Sequence, residues 1–469
     1  MKILLINPYE TSLPAVSPWP HLGLAILATR ARDLGHQAWV VDYAFTPEAP
    51  PLEDLVSRLS PGLFGLTLYT AHMKPARQAI QKIRRLSDAP IALGGPHATL
   101  YANDLARENL ADYIFRGECD TRFDRELEFI KQNPRSVVVS AEPPDLAEIT
   151  VPDFQLAHGS AAMTYYPIQL SRGCPYSCSF CSVKNISTRR VRFRDIGLCL
   201  DEIEQSVRKH RKLHFVRIVD DCPTFDLGRF KTFLHGYIQR GLRKPLHIDN
   251  LRADKIDDEM LGLIRRIGVD HLCIGVESGN KRVFELINKG EKMEDIVRAA
   301  RLIKQYGFRL YTCFIIGLPG STAESEMDSI RLARSLKPNW IYWNLFQPHK
   351  GTQAREWFEE NGRILEEEDK SSLIGLTLET TDAPCDTPEF PAEERKRMQI
   401  VASLITGAYW LNPRFFIRYG SLVKKNRLWR AFFVGLPSAL RINLEMLFHR
   451  AGRMAKVSVK KARFASPCA

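Results

Sequence analysis

The chain has 469 residues, of which 45% are hydrophobic and 26% charged, with 28 Gly and 28 Pro. This composition is ordinary for a globular protein and excludes a disordered or fibrous one. At about 150 residues per domain, the length predicts roughly three domains. A net charge of +12 would, taken alone, indicate binding to nucleic acid or to an anionic membrane.

The positive charge is concentrated in one segment. From residue 413 to the end there are 13 Lys and Arg and a single acidic residue, Glu445, so the preceding residues carry equal numbers of basic and acidic side chains. The body of the protein is therefore neutral, and only its C-terminal segment is basic.

The sequence gives no sign of export or of a membrane span. The apolar run at the N-terminus is too short for a signal peptide, and no stretch reaches the 18 or so apolar residues of a spanning helix. Three of the ten cysteines are clustered, which favours reduced thiols with one metal site over a disulfide framework. We expect a cytoplasmic protein, with peripheral contact at the inner membrane face as an open option.

Strand and helix signals alternate over the first 140 residues. The predicted strands are 3–7, 38–43, 63–68, 91–93 and 113–115, and the predicted helices are 22–33 and 75–86. Gly94-Gly95-Pro96 predicts a turn, and residues 134–163, with four prolines, predict an irregular linker. Continuous apolar strands indicate a parallel sheet covered on both faces, with ligands bound at the carboxyl ends of its strands.

A second series of alternating elements follows. Its predicted strands are 168–171, 215–220, 246–250, 271–276, 310–316 and 341–346, and its predicted helices include 201–210, 257–267, 293–306 and 323–336. Six such units indicate a partial barrel with its site at the carboxyl ends of the strands. Beyond it, residues 359–370 are charged, 377–391 predict a loop and 393–411 predict a helix.

The strongest chemical signal is Cys174-Pro-Tyr-Ser-Cys178-Ser-Phe-Cys181, directly after the first predicted barrel strand. A zinc site is the plainer alternative, but zinc usually takes four ligands from two paired clusters, and the sequence has no second cluster of that spacing. Three close thiolates suit a four-iron cluster that keeps one iron free of protein ligands.

This Cys-x3-Cys-x2-Cys motif, with Phe180 before the last cysteine, resembles that of the radical S-adenosylmethionine (SAM) enzymes. The resemblance implies that Cys174, Cys178 and Cys181 bind a 4Fe-4S cluster and that Phe180 lies near the adenine of SAM. In this family the open iron chelates SAM, and an electron from the cluster cleaves it to a 5′-deoxyadenosyl radical.

Further positions of the resemblance fall at later strand ends. It places Asp220-Asp221 beside the methionyl part of SAM, Glu277 on a ribose hydroxyl and the strand that ends at Gly317 beside the adenine. Arg252 and Ser278 complete the implied SAM site. Structural alternatives stay open: Asp221 suits a helix N-cap or the surface, Glu277 suits an ion pair with a barrel arginine, and the glycines suit turns.

The N-terminal half resembles the cobalamin-binding subgroup of this family. The resemblance rests on Asn7-Pro8, on Pro20-His-Leu-Gly-Leu, on Gly94-Gly95-Pro-His-Ala-Thr and on Gly117-Glu118. It implies that Asn7, Gly94, Gly95, Gly117 and Glu118 contact cobalamin, because backbone without Cβ lets a bulky nucleotide tail lie against the sheet edge.

The motif Asp-x-His-x-x-Gly, whose histidine binds cobalt in other cobalamin proteins, is absent. His21, His36, His72 and His97 are isolated, and a lone histidine is weak evidence of a metal site. The cobalt axial ligand is therefore left open.

Two other interpretations compete. The tRNA methylthiotransferases also join an α/β domain to a radical barrel, but their N-terminal domain holds a second cluster on three cysteines, and here only Cys119 precedes Cys174. A sensor that binds a corrinoid or a cluster without catalysis is the other alternative. The complete series of strand-end positions argues against it.

The basic C-terminal segment interleaves aromatic and basic side chains. They include Phe415, Phe416, Arg418, Tyr419, Arg427, Trp429, Arg430, Phe432 and Phe433, and Leu422, Trp429, Phe433 and Leu436 share a side at helical spacing. Three roles remain open: a helical cap on the barrel, an interfacial helix on anionic lipid, or an RNA contact. Nucleic acid is the least favoured because no RNA-binding motif stands out.

We therefore predict an α/β protein of four parts. Residues 1–140 form a doubly wound Rossmann-like cobalamin-binding domain, 141–163 a linker, 164–350 a partial (β/α)6 radical SAM barrel and 351–469 a mainly helical C-terminal region. Trp340, Tyr342 and Trp343 on the sixth barrel strand either line an apolar pocket or pack in the core.

The resemblance implies a cobalamin-dependent radical SAM enzyme with a 4Fe-4S cluster. We expect it to transfer a methyl group from methylcobalamin to an unactivated carbon of a small metabolite, whose apolarity is left open. A cyclase or oxidase without methyl transfer would look the same at these positions. A low-potential electron donor of the flavodoxin or ferredoxin type is the expected partner.

Overall fold

The computed structural model describes residues 1–10, 17, 19–132, 138–140, 143–365, 383–407 and 428–463. In the last helix, side chains are described as far as residue 447, except residue 446. The part of the basic segment before residue 428, including Phe415, Tyr419 and Leu422, lies outside the described residues.

The N-terminal domain is a parallel sheet with helices on both faces. Its strands stand in the order β2-β1-β3-β4-β5-β6. Strands β1 to β6 are Lys2–Asn7, Gln37–Asp42, Leu63–Thr67, Ile91–Gly94, Tyr113–Arg116 and Val138–Ser140. Helices α1 to α5 are Leu22–Asp33, Leu52–Leu59, Met73–Leu86, Gly95–Arg107 and Phe123–Gln132. The predicted doubly wound fold is confirmed.

Two local predictions in this domain are wrong. Residues 138–140 form the edge strand β6 inside the stretch predicted to be irregular, because three residues are too few to show a period. Gly95 and Pro96 open helix α4 instead of forming a turn, as suits proline in the first turn of a helix. Helix α2, behind two prolines, was not predicted.

The segment that follows the sheet is irregular but ordered. It contains three short 3-10 turns, at Leu146–Glu148, Phe154–Leu156 and Ser160–Ala162. Ala157 forms a parallel bridge with Val40 at the edge of the sheet, and Asp153 accepts hydrogen bonds from Arg32 at 2.6 Å and from Lys209 at 2.7 Å. The segment therefore links helix α1 of the first domain to Lys209 of the second.

The second domain is a partial barrel of six parallel strands. Strands β7 to β14 are Tyr165–Ile168, Ser171–Arg172, Arg192–Phe193, Phe215–Ile218, Leu246–Ile248, His271–Glu277, Arg309–Ile316 and Trp340–Leu345. The barrel order is β7-β10-β11-β12-β13-β14, with a Leu251–Ile274 bridge joining its two halves. Strands β8 and β9 form a short antiparallel pair beside it.

Helices cover the outside of the barrel, apart from the short helix Val183–Ile186, which contacts helix α4 of the first domain. Helices α6 to α13 are Val183–Ile186, Ile196–Lys209, Leu227–Gln239, Asp258–Ile267, Lys281–Leu286, Met293–Gln305, Ala323–Leu336 and Gln353–Asn361. Buried residues on the strands alternate with half-buried ones in β12, β13 and β14. The buried set packs under the helices, so the half-buried set faces the barrel interior.

The tryptophans of β14 follow this alternation. Trp343 is buried, stacks on Phe314 with ring centroids 4.5 Å apart and donates to Thr406 at 3.0 Å. Trp340 and Tyr342 are half-buried on the other side of the strand. Core packing therefore accounts for Trp343, while Trp340 and Tyr342 face the interior.

The C-terminal region is mainly helical, as predicted. A short pair of strands, β15 at Arg363–Ile364 and β16 at Cys385–Asp386, precedes helices α14 at Ala392–Thr406 and α15 at Trp429–Arg463. Arg395 of α14 is fully buried and donates to the carbonyls of Gly317 at 2.7 Å and Phe390 at 2.8 Å. This arginine links α14 to the end of β13.

Among the described residues, none of the helices combines the length and apolarity that crossing a membrane requires.

Candidate functional site

A cavity of about 990 Å³ lies between the carboxyl ends of the N-terminal sheet and the barrel. Its sheet side includes Asn7, Gly94, Gly95, Gly117 and Glu118, the five positions that the sequence assigned to cobalamin. Its barrel side includes Gln169, Arg172, Ser182, Val183, Ser187, Val219 and Asp221. The structure thus brings all five predicted residues to one wall and faces them with the loops around the cysteine motif.

The sheet wall has the features of a wall built for a large polar ligand. Asn7 is buried, and its Nδ2 donates to Asp42 at 2.8 Å, but its Oδ1 has no hydrogen-bond partner among the described residues. A Cβ on Gly94 would meet no atom within 4 Å, so open space adjoins the backbone there. Gly95 adopts φ +92 and has no room for a Cβ beside Thr67. An orphaned acceptor and bare backbone fit cobalamin, which carries amide donors around a bulky ring.

Asp42 fixes the base of this wall. It accepts hydrogen bonds from Asn7 and from the backbone of His21, Ala44 and Phe45. Burial raises the pKa of Asp42 to about 6 in spite of these bonds. Sequence reasoning missed this residue, although an acid at the end of a buried strand is a visible signal.

Gly117 and Glu118 sit where the two domains meet. Gly117 has φ +96 and donates from its backbone to Thr99 at 3.1 Å. The Glu118 carboxylate forms ion pairs with Arg172 at 2.8 Å and with Arg192 at 2.6 Å. Because both oxygens are held by arginines of the barrel side, Glu118 lines the cavity while bonding the domains together.

The four histidines considered as cobalt ligands, His21, His36, His72 and His97, differ in the contacts that their rings make. The His21 Nδ1 accepts from the backbone of Leu24 at 3.1 Å, and its Nε2 lies 2.9 Å from the Tyr69 hydroxyl. His36 bonds the N-terminal amine at 3.1 Å, and His97 bonds Thr70 at 3.0 Å. His21 and His72 line the cavity, and burial lowers both pKa values, that of His21 to about 4. The axial ligand stays unassigned.

The three motif cysteines lie on the loop between β8 and α6, each half-buried. Cys174 has a pKa lowered to about 7 by a hydrogen bond with Cys222. Burial raises the pKa of Cys178 to about 12 and that of Cys181 to about 11. No three His, Cys, Asp or Glu side chains of the described ranges converge on a single metal ion. A four-iron cluster does not need such convergence, because each thiolate binds a different iron.

Asp221 braces the start of the cysteine loop. Its Oδ2 accepts from the backbone of Gly173, next to Cys174, at 2.8 Å. Gly173 has φ +95, and a Cβ there would collide with the carbonyl of Arg190. Burial raises the pKa of Asp221. Asp221, which the resemblance places beside SAM, therefore also holds the backbone of the cysteine loop. The structural alternatives for Asp221, a helix N-cap or a surface position, do not include this role.

Arg252 supports the same loop from the other side. Its guanidinium lies 3.5 Å from the ring centroid of Tyr176, inside the cysteine motif, and donates to the carbonyls of Lys289 at 2.9 Å and Gly290 at 3.2 Å. This stacking and bonding hold Tyr176 against the barrel rim.

Glu277 pairs with a lysine that the sequence did not single out. The Lys289 Nζ lies 3.2 Å from Glu277 and 3.0 Å from Glu291, and all three are buried. Burial opposes the charge of Lys289, but the two carboxylates outweigh it and raise its pKa. Glu277 adopts φ +63, strained for a residue other than glycine. The backbone N–H of Ser179, inside the cysteine motif, donates to the Ile287 carbonyl at 2.8 Å, so the chain just before Lys289 contacts the cysteine loop.

The remaining predicted residues are built into the barrel rim. Asp220 accepts from the backbone of Leu170 at 2.7 Å and from Ser171 at 2.5 Å, and burial raises its pKa to about 7. Ser278 accepts from the backbone of Asn280 at 3.2 Å. The Phe180 side chain packs against the barrel core.

Gly317 is held from two directions. With φ +84, it donates its N–H to the Glu326 Oε1 at 3.0 Å, while its carbonyl accepts from Arg395. Neither partner was found from sequence, because both lie on helices and show no motif.

Comparison with known proteins identifies both domains. Residues 13–125 match the B12 binding domain model, and residues 168–333 match that of the Radical SAM superfamily. The chain therefore combines a B12-binding domain with a radical SAM domain. Its cofactors are a 4Fe-4S cluster, SAM and cobalamin.

Two relatives carry names that give different reactions. An anaerobic magnesium-protoporphyrin IX monomethyl ester cyclase of Rubrivivax gelatinosus is 28% identical over 74% of this chain and 68% of its own length. An uncharacterized methyltransferase of Pyrococcus horikoshii is 24% identical over 91% of this chain and 97% of its own.

A solved structure shares the fold. The radical SAM methyltransferase TsrM of Kitasatospora setae, solved with cobalamin and a 4Fe-4S cluster, aligns with a TM-score of 0.63 at 19% identity, over 76% of this chain and 75% of its own. The similarity confirms the predicted combination of an N-terminal parallel sheet and a radical SAM barrel.

Proposed function

We propose that this enzyme transfers a methyl group to an unactivated carbon of a small, apolar metabolite. The observation that carries the proposal is the position of the cavity of about 990 Å³, which has the predicted cobalamin residues on one wall and residues next to the cysteine loop on the other. A corrinoid in this cavity would lie between the sheet and the barrel mouth, where a substrate radical would form.

The bound groups would supply a one-electron cleavage of SAM and a transferable methyl group. The residues of this chain bind and orient them: Cys174, Cys178 and Cys181 bind the cluster, and Asp221 and Arg252 hold its loop in place. Glu277, Ser278 and the Gly317 strand end would line the SAM site, with Phe180 and Asp220 behind it. Asn7, Gly94, Gly95, Gly117 and Glu118 would receive the corrinoid.

Relatives support the proposal without deciding it. The Pyrococcus relative and TsrM are named as methyltransferases. The Rubrivivax relative is named as a cyclase, and this observation favours a second candidate, a cobalamin-dependent cyclase or oxidase that transfers no methyl group.

One experiment separates the two candidates. The enzyme is reconstituted anaerobically with iron, sulfide and cobalamin, then given a panel of small apolar metabolites as methyl acceptors, a low-potential reductant and SAM that carries a CD3 methyl group. We expect 5′-deoxyadenosine together with a product that contains the CD3 group. Substrate consumption with 5′-deoxyadenosine but without label in the product would establish the cyclase or oxidase instead. Corrinoid content of the protein as isolated checks the cofactor assignment separately.

Two partners belong to the proposal. A flavodoxin or ferredoxin would supply the low-potential electron, which is tested by replacing the chemical reductant with either protein. The basic C-terminal segment would place the enzyme against the inner membrane face, where an apolar substrate is held.

A further inference from the structure

Helix α15 is fixed to the body of the protein by one face. Phe432, Ala439 and Ile442 of this face are buried, and Phe432 and Ala439 belong to the apolar cluster formed with helix α14. Gly435 lies so close to Leu404 that a Cβ would overlap its carbonyl. Arg441 also donates to the carbonyl of Pro338 at 3.2 Å. The orientation of the helix is therefore set by packing.

The side of α15 that faces away from this packing is apolar as well. The exposed fractions are 48% for Trp429, 62% for Phe433, 47% for Leu440, 50% for Leu444 and 57% for Leu447. At 100° per residue these five side chains fall within an arc of about 60°. They form a continuous exposed stripe, which is uncommon on the surface of a monomeric protein. We call these five residues the apolar stripe.

Basic side chains flank the apolar stripe. Arg430 and Arg441 are exposed, Arg441 in an ion pair with Glu445 at 3.1 Å, and the helical period places both arginines along one border of the stripe. The sequence of the helix beyond residue 447 adds six Lys and Arg and no acidic residue. An apolar face with aromatic side chains and a basic border is the composition of helices that lie in the plane of an anionic membrane.

We propose that the apolar stripe of α15 inserts into the interface of an anionic lipid bilayer and holds the enzyme on it. Because no helix in the described part of the chain can cross a membrane, the contact is parallel to the surface. A second copy of the chain is the less favourable occupant, since antiparallel pairing of two such helices across a twofold axis puts both basic borders on the same side of the pair. The inference does not depend on the reaction that the enzyme catalyses.

Flotation with phosphatidylcholine vesicles, made with and without phosphatidylglycerol, tests the proposal on the full-length protein. We expect binding only to the vesicles with phosphatidylglycerol, and weaker binding at high salt. The variant Phe433→Glu/Leu440→Glu/Leu444→Glu should bind roughly tenfold more weakly or not at all. The matched control is Leu86→Glu/Val151→Glu/Leu198→Glu, which adds the same three charges to side chains that are 47%, 47% and 56% exposed elsewhere on the surface and should bind as the wild type does.

Three results would overturn the proposal. They are no binding by the wild type, equal binding to both kinds of vesicle, and a triple variant that floats normally. A triple variant that changes from dimer to monomer on gel filtration would show that a second copy covers the stripe. An unchanged thermal midpoint and cobalamin content in each variant excludes unfolding as the cause. The flotation assay contains no substrate, so it is readable even if the methyl-transfer experiment fails.

Discussion

At the scale of single residues, the cysteine loop allows a test with an internal control. Cys178→Ala should lose the iron–sulfur cluster, because a thiolate ligand is removed. Cys222→Ser is the matched control: Cys222 is buried and hydrogen-bonds Cys174 but lies outside the motif. It should keep the cluster. Iron and sulfide content and the visible absorbance after anaerobic reconstitution measure both. Equal cluster content in the two variants would contradict the ligand assignment.

A second residue-scale prediction concerns Glu326, which holds the backbone of Gly317 at 3.0 Å. Burial raises its pKa from 4.5 to about 7. The folded protein therefore binds the proton more tightly than the unfolded chain does, so this stabilising contribution is complete below about pH 4.5 and is lost as the pH rises through 7. Its slope is at most about 1.4 kcal/mol per pH unit.

Glu326→Gln should remove this dependence, since an amide does not titrate. We expect the thermal midpoint of the wild type to fall between pH 5 and pH 7 relative to that of the variant. Parallel midpoints across this range would show that Glu326 has an ordinary pKa in the folded protein.

Single residues also show how far sequence analysis reached. The cluster ligands could be predicted from the sequence because their chemistry needs three thiols at short spacing. The roles of Lys289, Glu326 and Arg395 could not be predicted, because each contacts a residue that only the fold brings near and none belongs to a local sequence pattern. Their buried charges are explained only by their partners.

At the scale of elements, long periodic helices were predictable and short elements were not. Helix α12 runs from Ala323 to Leu336 as predicted, and its start has a capping box between Thr322 and Ser325. Strand β6 and the pair β8–β9 have two or three residues each. Such elements form because neighbouring backbone needs hydrogen-bond partners, which no pattern within two or three residues can indicate.

The contact between α14 and α15 carries the element-scale prediction. Gly435→Ala should destabilise the protein by roughly 1–3 kcal/mol, because its Cβ would overlap the Leu404 carbonyl and force the helices apart. The control is Gly262→Ala in helix α9, where a Cβ would meet no atom within 4 Å. That change should be neutral or stabilise by up to about 1 kcal/mol. Chemical denaturation measures both, and equal effects would mean that the two helices are not closely packed.

At the scale of the whole molecule, function depends on keeping together the two domains that line the cavity. Sequence analysis identified each domain but not their junction, because the residues that form it are far apart in the chain. Arg172 and Arg192 come from β8 and β9, and Glu118 and Asp120 follow β5. The four side chains are 8–13% exposed, so they form a nearly buried ionic network across the interface.

Breaking this network should loosen the cavity. Arg192→Met leaves the Glu118 carboxylate with one arginine instead of two, and the loss of a partner from a buried ion pair costs up to about 3–5 kcal/mol. The matched control is Arg240→Met, which removes an ion pair with Asp201 whose side chains are 30% and 50% exposed, worth about 0–1 kcal/mol. We expect Arg192→Met, and not the control, to lower the thermal midpoint and to release bound cobalamin during gel filtration. Retention of cobalamin equal to that of the wild type would show that the sheet wall binds the corrinoid without help from the barrel, and that the interface serves stability alone.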